Sequence, residues 1–442
     1  MVLAHGIGGS QDLPIPASYA IVGACIALVV SFTVLAIAWR EPRYDADRSG
    51  REAPAWLARV VDGLGFAAAL RVVGLVFFGY VAWAAIFGPD LLINPTFGVV
   101  YVLLWVGLVP SSLLFGPFFK AVSPVRTINL AFTKLLGGGD PERGIFELPR
   151  WVGYWPAAFG LFAFVWLELV YPDSTYLSPV RLWFAVYIAA MLVGSALFGT
   201  EWFERADPFE VYSTLVGHLS VFGRRTDGTL MLRSPLANLD GVVPRPGLVA
   251  VVAVLFGSTA FDSFADSNLW LLYTQTTSIH VPTLNTVVML GFCALVFTTF
   301  TVATMAATMR GSTQDIRRRD LPDRFAHAVV PIVVGYIVAH YLSLFVEFGQ
   351  QTLAQLSDPM GTGADLLGTA DWQPNNWLSL HPTFLAVSKV IAVITGHLVG
   401  VVASHDRALK LLPKRDRLVG QLPLLLVMII YTAGGLGLLF FG

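Results

Sequence analysis

Ten runs of apolar residues, each about 20 residues long, limit what this chain can fold into. A helix of that length crosses the hydrocarbon core of a bilayer. The runs occupy residues 17–39, 66–87, 97–119, 151–170, 180–200, 247–264, 284–309, 326–348, 383–404 and 420–441. They predict the all-α class, with residues 1–442 forming a single polytopic transmembrane domain of about ten helices.

The composition excludes the main alternatives to a helical membrane protein. Charged residues make up 13% of the chain and hydrophobic residues 55%, whereas soluble domains carry about 25% charged residues. A transmembrane barrel is excluded because its strands would alternate in hydrophobicity instead of forming long apolar runs. The basic residues are scattered over loops and form no patch, so the predicted partner is the lipid bilayer and not nucleic acid.

The loops between the runs alternate in charge. Nearly all lysines and arginines lie in residues 40–65, 120–150, 201–246, 310–325 and 405–419. The remaining loops are acidic and comprise residues 1–16, 88–96, 171–179, 265–283 and 349–382. Because basic loops stay in the cytoplasm, both termini are predicted to lie on the outer side of a bacterial cytoplasmic membrane.

Two loops contain further features. The cytoplasmic loop 201–246 includes a segment, 207–222, with an Asp cap, a proline at the first helical position and an apolar stripe. This pattern predicts an amphipathic helix lying on the membrane interface. The outer loop 349–382 is long and acidic and contains Trp372 and Trp377. It is interpreted either as a lid over a substrate or as a segment that its tryptophans anchor at the interface.

Ionisable residues inside the apolar runs are candidates for function, because a charge in a bilayer is costly. Counting about 1.5 Å per residue from the helix ends brings Asp262, His340 and Lys389 to one level. Asp266 and Glu347 lie about 5 Å further out by the same count. We therefore expect carboxylates, an imidazole and an amine in one band near the outer leaflet.

Such a band has three interpretations. A divalent metal ion such as zinc would be held by Asp262, Asp266 and His340, and would activate a water molecule. Glu347 would then serve as a further ligand or base, and Lys389 would stabilise a developing oxyanion. Alternatively, the same groups pass protons or bind a cation. In the third interpretation they form a buried polar network with no chemistry.

Three segments carry a resemblance to a known family. They are Ala-His-Gly-Ile-Gly-Gly-Ser-Gln-Asp-Leu-Pro-Ile-Pro at 4–16, Ala-Asp-Pro-Phe-Glu-Val-Tyr-Ser at 206–213 and Gly-Ser-Thr-Ala-Phe-Asp-Ser at 257–263. They resemble a family of multi-pass, largely actinobacterial membrane proteins labelled fenitrothion hydrolase. The resemblance covers most of the chain and implies hydrolysis of an organophosphate phosphotriester. It carries over no catalytic residues.

Two observations favour one function: the ionisable residues lie at similar levels in the membrane, and the chain resembles a hydrolase family. We expect a membrane-embedded hydrolase, metal-dependent if the zinc interpretation holds, acting on a small apolar ester or phosphoester near the outer leaflet. The alternative is an ion- or proton-coupled transporter, or a membrane subunit of a larger complex.

Overall fold

The structure is a computed structural model that describes residues 9–135, 140, 142–307 and 317–441. Parts of several predicted features lie outside the described residues. These are residues 4–8 of the first quoted segment, 136–139 and 141 of one basic loop, 308 and 309 of the seventh run, and 310–316 of the loop after it.

The described chain is almost entirely helical, which confirms the predicted all-α class. The first helices are α1 (Ala17–Ala38), α2 (Ala55–Val61), α3 (Leu64–Phe87), α4 (Pro95–Phe97), α5 (Leu108–Phe115), α6 (Phe118–Val122) and α7 (Pro124–Leu135). They are followed by α8 (Trp155–Leu169), α9 (Leu177–Phe198), α10 (Glu201–Ala206), α11 (Pro208–Gly217), α12 (Pro235–Leu239), α13 (Leu248–Ala265) and α14 (Asn268–Thr276). The last are α15 (Val281–Met305), α16 (Leu321–Phe325), α17 (Val330–Ser343), α18 (Gly349–Gln355), α19 (Trp377–Leu380), α20 (Pro382–Leu411) and α21 (Leu422–Phe441).

Short segments of other helix types and a small sheet complete the described elements. Gly98–Leu104 and Leu344–Phe348 are π-helical, and Ser10–Asp12, Arg318–Asp320, Ala326–Val329 and Val419–Gln421 are 3₁₀-helical. Strands β1 (Arg51–Glu52), β2 (Phe222–Arg224) and β3 (Leu230–Leu232) pair antiparallel in the order β1-β3-β2. The turn between β2 and β3 contains Gly228, whose positive φ of 88° suits glycine.

Within the described residues, eight helical segments are long and apolar enough to cross a membrane. They are Ala17–Ala38, Leu64–Phe87, Leu177–Phe198, Leu248–Ala265, Val281–Met305, Arg318–Gln355, Pro382–Leu411 and Val419–Phe441. The remaining two predicted runs differ: Pro95–Leu104 and Leu108–Phe115 meet at a 46° bend, and Trp155–Leu169 is a shorter apolar helix. The chain is therefore a multi-pass membrane protein, and the bent pair would bring the number of spans to nine.

The chain divides into two compact units. The first contains residues up to 49, 236–344 and from 376 onward. Its central helix is α13, of whose 18 residues 16 are buried, as expected for a helix that is apolar on every side. α13 packs against α15 and α17, and α17 packs against α20. The close approach of α17 and α20 uses Gly335 and Gly396, where a Cβ atom would lie within 2.5 Å of a backbone oxygen of the other helix.

The second unit contains residues 50–235 and 345–375. Its interior includes α11, the helix predicted within 207–222, and Asp207 caps it by accepting hydrogen bonds from the amides of Phe209 and Glu210. Its burial differs from that of an exposed amphipathic helix, and its location at the membrane interface stays a prediction. Nine of its ten residues are buried, Glu210 and Ser213 among them, and it packs against α5, α6 and α8. An interfacial helix would keep its polar face in water.

The predicted loop 349–382 begins with α18 and ends with α19. Between them, the Asp358 carboxylate accepts hydrogen bonds from the amides of Thr362 and Gly363 at 3.0 and 2.7 Å. Trp372 and Trp377 are both exposed. Exposure suits a lid and an interfacial anchor equally, so both interpretations of this loop stay predictions.

Candidate functional site

The candidate site lies in the first unit, where α13 and α17 pack together. α13 contributes Asp262 and Ser263 near its last turn, and α17 contributes Tyr336, His340 and Tyr341. Tyr336 and His340 are four residues apart and therefore share a helix face. Asp262 is 8% exposed and His340 6% exposed. Polar groups this deeply buried need hydrogen-bond partners, and each finds them on the other helix.

The Asp262 carboxylate holds His340 and Tyr341. Its Oδ2 atom lies 2.8 Å from Nε2 of His340 and 2.6 Å from the hydroxyl of Tyr341, which donates to it. A carboxylate accepts hydrogen bonds only, so Nε2 of His340 must carry the proton of this contact. The other ring nitrogen of a neutral imidazole is then an acceptor.

Ser263 lies on the other side of the same imidazole ring. Its Oγ atom is 3.1 Å from Nδ1 of His340, and the hydroxyl of Tyr336 donates to Oγ at 3.1 Å. The backbone oxygen of Thr259, at 3.2 Å, is a second acceptor for the Ser263 hydroxyl. The tautomer set by Asp262 leaves Nδ1 able to accept the serine proton.

These contacts form a continuous chain from Ser263 through His340 to Asp262. A hydroxyl beside an imidazole that a carboxylate orients is the arrangement that activates serine as a nucleophile. In addition, the two tyrosine hydroxyls provide donors at both ends of the chain. The arrangement is able to move a proton from oxygen to nitrogen without rearranging the helices.

Asp266 is the residue after the last residue of α13 and is exposed. Partial burial of its carboxyl and the negative charge of Asp262 raise its pKa to about 6, while His340 opposes this rise. Asp266 is therefore close enough to Asp262 and His340 for their charges to change its pKa. Within the described part of the chain, no three His, Cys, Asp or Glu side chains are grouped as metal ligands. The zinc site stays a prediction.

Lys389 lies on α20 and is 3% exposed. The pairing of Gly335 with Ala392 and Gly396 between α17 and α20 brings His340 and Lys389 to one level. The segment Ser10–Asp12 packs against α20. The predicted role of Lys389 in stabilising an oxyanion stays a prediction.

Glu347 is buried in the π-helical segment Leu344–Phe348 and belongs to the second unit. Its role as a ligand or base stays a prediction. Three residues of the network were not singled out from the sequence: Ser263, Tyr336 and Tyr341. Serine and tyrosine are common in membrane helices. The four-residue spacing of Tyr336 and His340 is a signal that could have pointed to Tyr336.

Comparison of the chain with protein-family models, with curated proteins and with solved structures gives no match in any of the three.

Proposed function

We propose that this chain is a membrane-embedded hydrolase with Ser263 as the nucleophile, His340 as the general base and Asp262 as the group that orients the base. The observation that carries this proposal is the chain of hydrogen bonds in which Ser263 Oγ lies 3.1 Å from Nδ1 of His340 and Nε2 lies 2.8 Å from Asp262. Both distances are within the reach required for proton transfer.

The proposed reaction has two steps. Ser263 Oγ attacks the carbonyl carbon or phosphorus of the ester, and its proton moves to Nδ1 of His340. His340 then gives that proton to the departing alcohol or phenol, which leaves an acyl- or phosphoryl-serine. In the second step, His340 takes a proton from water, the hydroxide displaces Ser263 Oγ, and the proton returns to the serine. Asp262 stabilises the imidazolium form of His340 in both steps.

The substrate class follows from the surroundings of the site and from the resemblance. Ser263 and His340 are buried between apolar helices, so the proposed substrate is a small, uncharged ester or phosphotriester that partitions into the bilayer. The family resemblance implies a phosphotriester. The proposed location is a bacterial cytoplasmic membrane, crossed ten times with both termini outside; the alternation of basic and acidic loops supports this topology.

The test uses the purified full-length protein in detergent and in nanodiscs. A chromogenic phosphotriester and a p-nitrophenyl acyl ester would report turnover, and a fluorophosphonate would label the nucleophile. We expect Ser263→Ala to lose labelling and about 10³-fold or more of the turnover. Ser258→Ala is the matched control, because Ser258 is a buried serine of the same helix whose hydroxyl donates to the backbone oxygen of Leu255 at 3.5 Å. Turnover that survives Ser263→Ala would refute the proposal.

A metal-dependent hydrolase is the variant of this proposal that the sequence favoured. In it, a divalent ion such as zinc would bind His340 with Asp262 and Asp266, and Ser263 would not be the nucleophile. A chelator separates the two variants. Loss of turnover on chelation, with Ser263→Ala unaffected, supports the metal, and the opposite pattern supports the serine.

A proton-coupled transporter is a second candidate. The observation that favours it is the continuity of exchangeable protons from Tyr341 through Asp262, His340 and Ser263 to Tyr336. Such a row of groups suits a proton relay. Proteoliposomes containing a pH-sensitive dye would report proton entry driven by a membrane potential. Flux in the wild type that His340→Ala abolishes, without any ester turnover, would favour this function.

A further inference from the structure

A groove of about 870 Å³ lies in the second unit, between α8 and α9. Pockets that hold small organic ligands have volumes of about 300–1,000 Å³, and the groove lies within this range. The residues that line it on α9 recur in pairs every four positions and therefore form one face of the helix. They are Ser178, Pro179, Leu182, Trp183, Val186, Tyr187, Ala190 and Met191.

The residues that line the groove extend along α9. From Ser178 to Met191 the α9 face extends about 20 Å at 1.5 Å per residue. Small side chains, Ala163 on α8 and Ala190 on α9, leave room along this length, and Leu182 and Val186 are exposed at its edge. A space lined by apolar residues along α9 and the shorter apolar helix α8 fits an alkyl chain better than a compact polar solute.

One end of the groove is acidic and aromatic. Asp90, Asp173 and Tyr171 line that end, and no lysine or arginine is among the lining residues. The ring of Tyr171 lies 5.6 Å from that of Trp166, which also lines the groove. Carboxylates beside aromatic faces attract an ammonium group by charge and by cation–π contact. The same carboxylates repel an anionic headgroup.

We propose that this groove binds one phospholipid with an ammonium headgroup, of the phosphatidylethanolamine type. One of its two acyl chains lies between α8 and α9, and the ammonium lies beside Asp173 and Tyr171. This site goes beyond the proposed hydrolase function and does not depend on it.

The test measures lipid binding to the delipidated full-length protein by native mass spectrometry. Dioleoyl phosphatidylethanolamine and dioleoyl phosphatidylglycerol are the probes. We expect one ethanolamine lipid to bind about tenfold or more tightly than the glycerol lipid. Asp173→Asn should reduce this preference, although the variant should still bind the lipid through its acyl chain. Equal binding of the two lipids to the wild type would overturn the headgroup assignment.

The position of the acyl chain is tested by filling the groove. Ala190→Trp should weaken binding about tenfold or more, whereas Ala189→Trp should not, because Ala189 is exposed on the same helix and does not line the groove. Ala163→Trp fills the groove from α8 and replaces Ala190→Trp in this measurement if that variant does not fold. If the filled and control variants bind the ethanolamine lipid equally, the proposal is wrong.

Discussion

Nε2 of His340 and Oδ2 of Asp262 lie 2.8 Å apart across the contact of α17 with α13, and both side chains are buried. The hydroxyl of Tyr341 donates to the same carboxylate oxygen. The carboxylate therefore has two donors from one helix, which fixes the imidazole ring in orientation as well as in tautomer. The other nitrogen of that ring, Nδ1, lies 3.1 Å from Oγ of Ser263.

The pair predicts the effect of Asp262→Asn. The amide keeps the size of the side chain, but its NH₂ group favours the tautomer in which Nδ1 of His340 carries the proton. Nδ1 then cannot accept the proton of Ser263, and ester turnover should fall by about 10⁴-fold, the cost of this substitution in Ser–His–Asp sites. Turnover and fluorophosphonate labelling of Ser263 are the measurements. Unchanged labelling would show that Asp262 does not orient the base.

Tyr341→Phe tests the second donor to the carboxylate. Removing the hydroxyl leaves a buried carboxylate with one donor fewer, which should lower the free energy of unfolding by about 1–3 kcal/mol. The thermal melting of the detergent-solubilised protein measures this loss. Tyr19→Phe is the control, because Tyr19 is exposed on α1, and it should leave the melting temperature unchanged. Equal melting of the two variants would contradict the role of Tyr341.

The long helices were predictable because a bilayer leaves few alternatives. Each of the eight candidate spans overlaps one predicted run, since an apolar stretch of about 20 residues has no other stable place. The rise per residue predicts the level of each ionisable residue along its helix. The rotation of each helix about its axis depends on packing and could not be predicted. The hydrogen bonds that join Asp262 to His340 and Tyr341 were therefore not predictable from the sequence.

The burial of α11 could not be predicted for a related reason. An apolar stripe with polar residues opposite predicts a helix at a surface, because those polar residues usually face water. Here Glu210 is buried, but its carboxylate forms an ion pair with the guanidinium of Arg126, whose Nε lies 2.5 Å away. An ion pair of this kind replaces hydration. Its partner lies 84 residues away along the chain, and no local pattern reveals it.

The contact of α17 with α20 predicts that glycine is required at position 396. A Cβ atom there would lie 2.4 Å from the backbone oxygen of Pro331. A backbone atom inside a packed helix cannot move aside, so Gly396→Val should destabilise the protein by about 3 kcal/mol or more. Gly291→Ala is the matched control: its Cβ would meet nothing within 4 Å. The control should keep or slightly raise the melting temperature, since alanine favours the helix. Similar melting of both variants would refute this packing.

The proposed topology predicts which loops reach the outside of the cell. In a variant with Cys25→Ala and Cys293→Ala, a membrane-impermeant maleimide should label Gln373→Cys in intact cells. It should label Arg319→Cys only after lysis. Both positions are exposed, so access to the reagent and not burial decides the result. Labelling of Arg319→Cys in intact cells would reverse the orientation.

The buried carboxyl of Asp207 predicts a dependence of stability on pH. Burial and the negative charge of Glu210 raise its pKa to about 7, and the hydroxyl of Tyr187 and the amides of α11 oppose this rise. The pKa in the unfolded chain is about 3.9. The folded protein therefore binds an additional proton between these values, and its stability falls as the pH rises through this window to about 7.

Asp207→Asn should remove this dependence. Asparagine is a good N-cap, so the amides of Phe209 and Glu210 keep an acceptor. We expect the melting temperature of the variant to vary less than that of the wild type between pH 4 and 7, and to exceed it above about pH 7. The exposed Asp371→Asn serves as the control and should retain the slope of the wild type. Parallel melting curves for the wild type and Asp207→Asn would show that Asp207 is not protonated in this range.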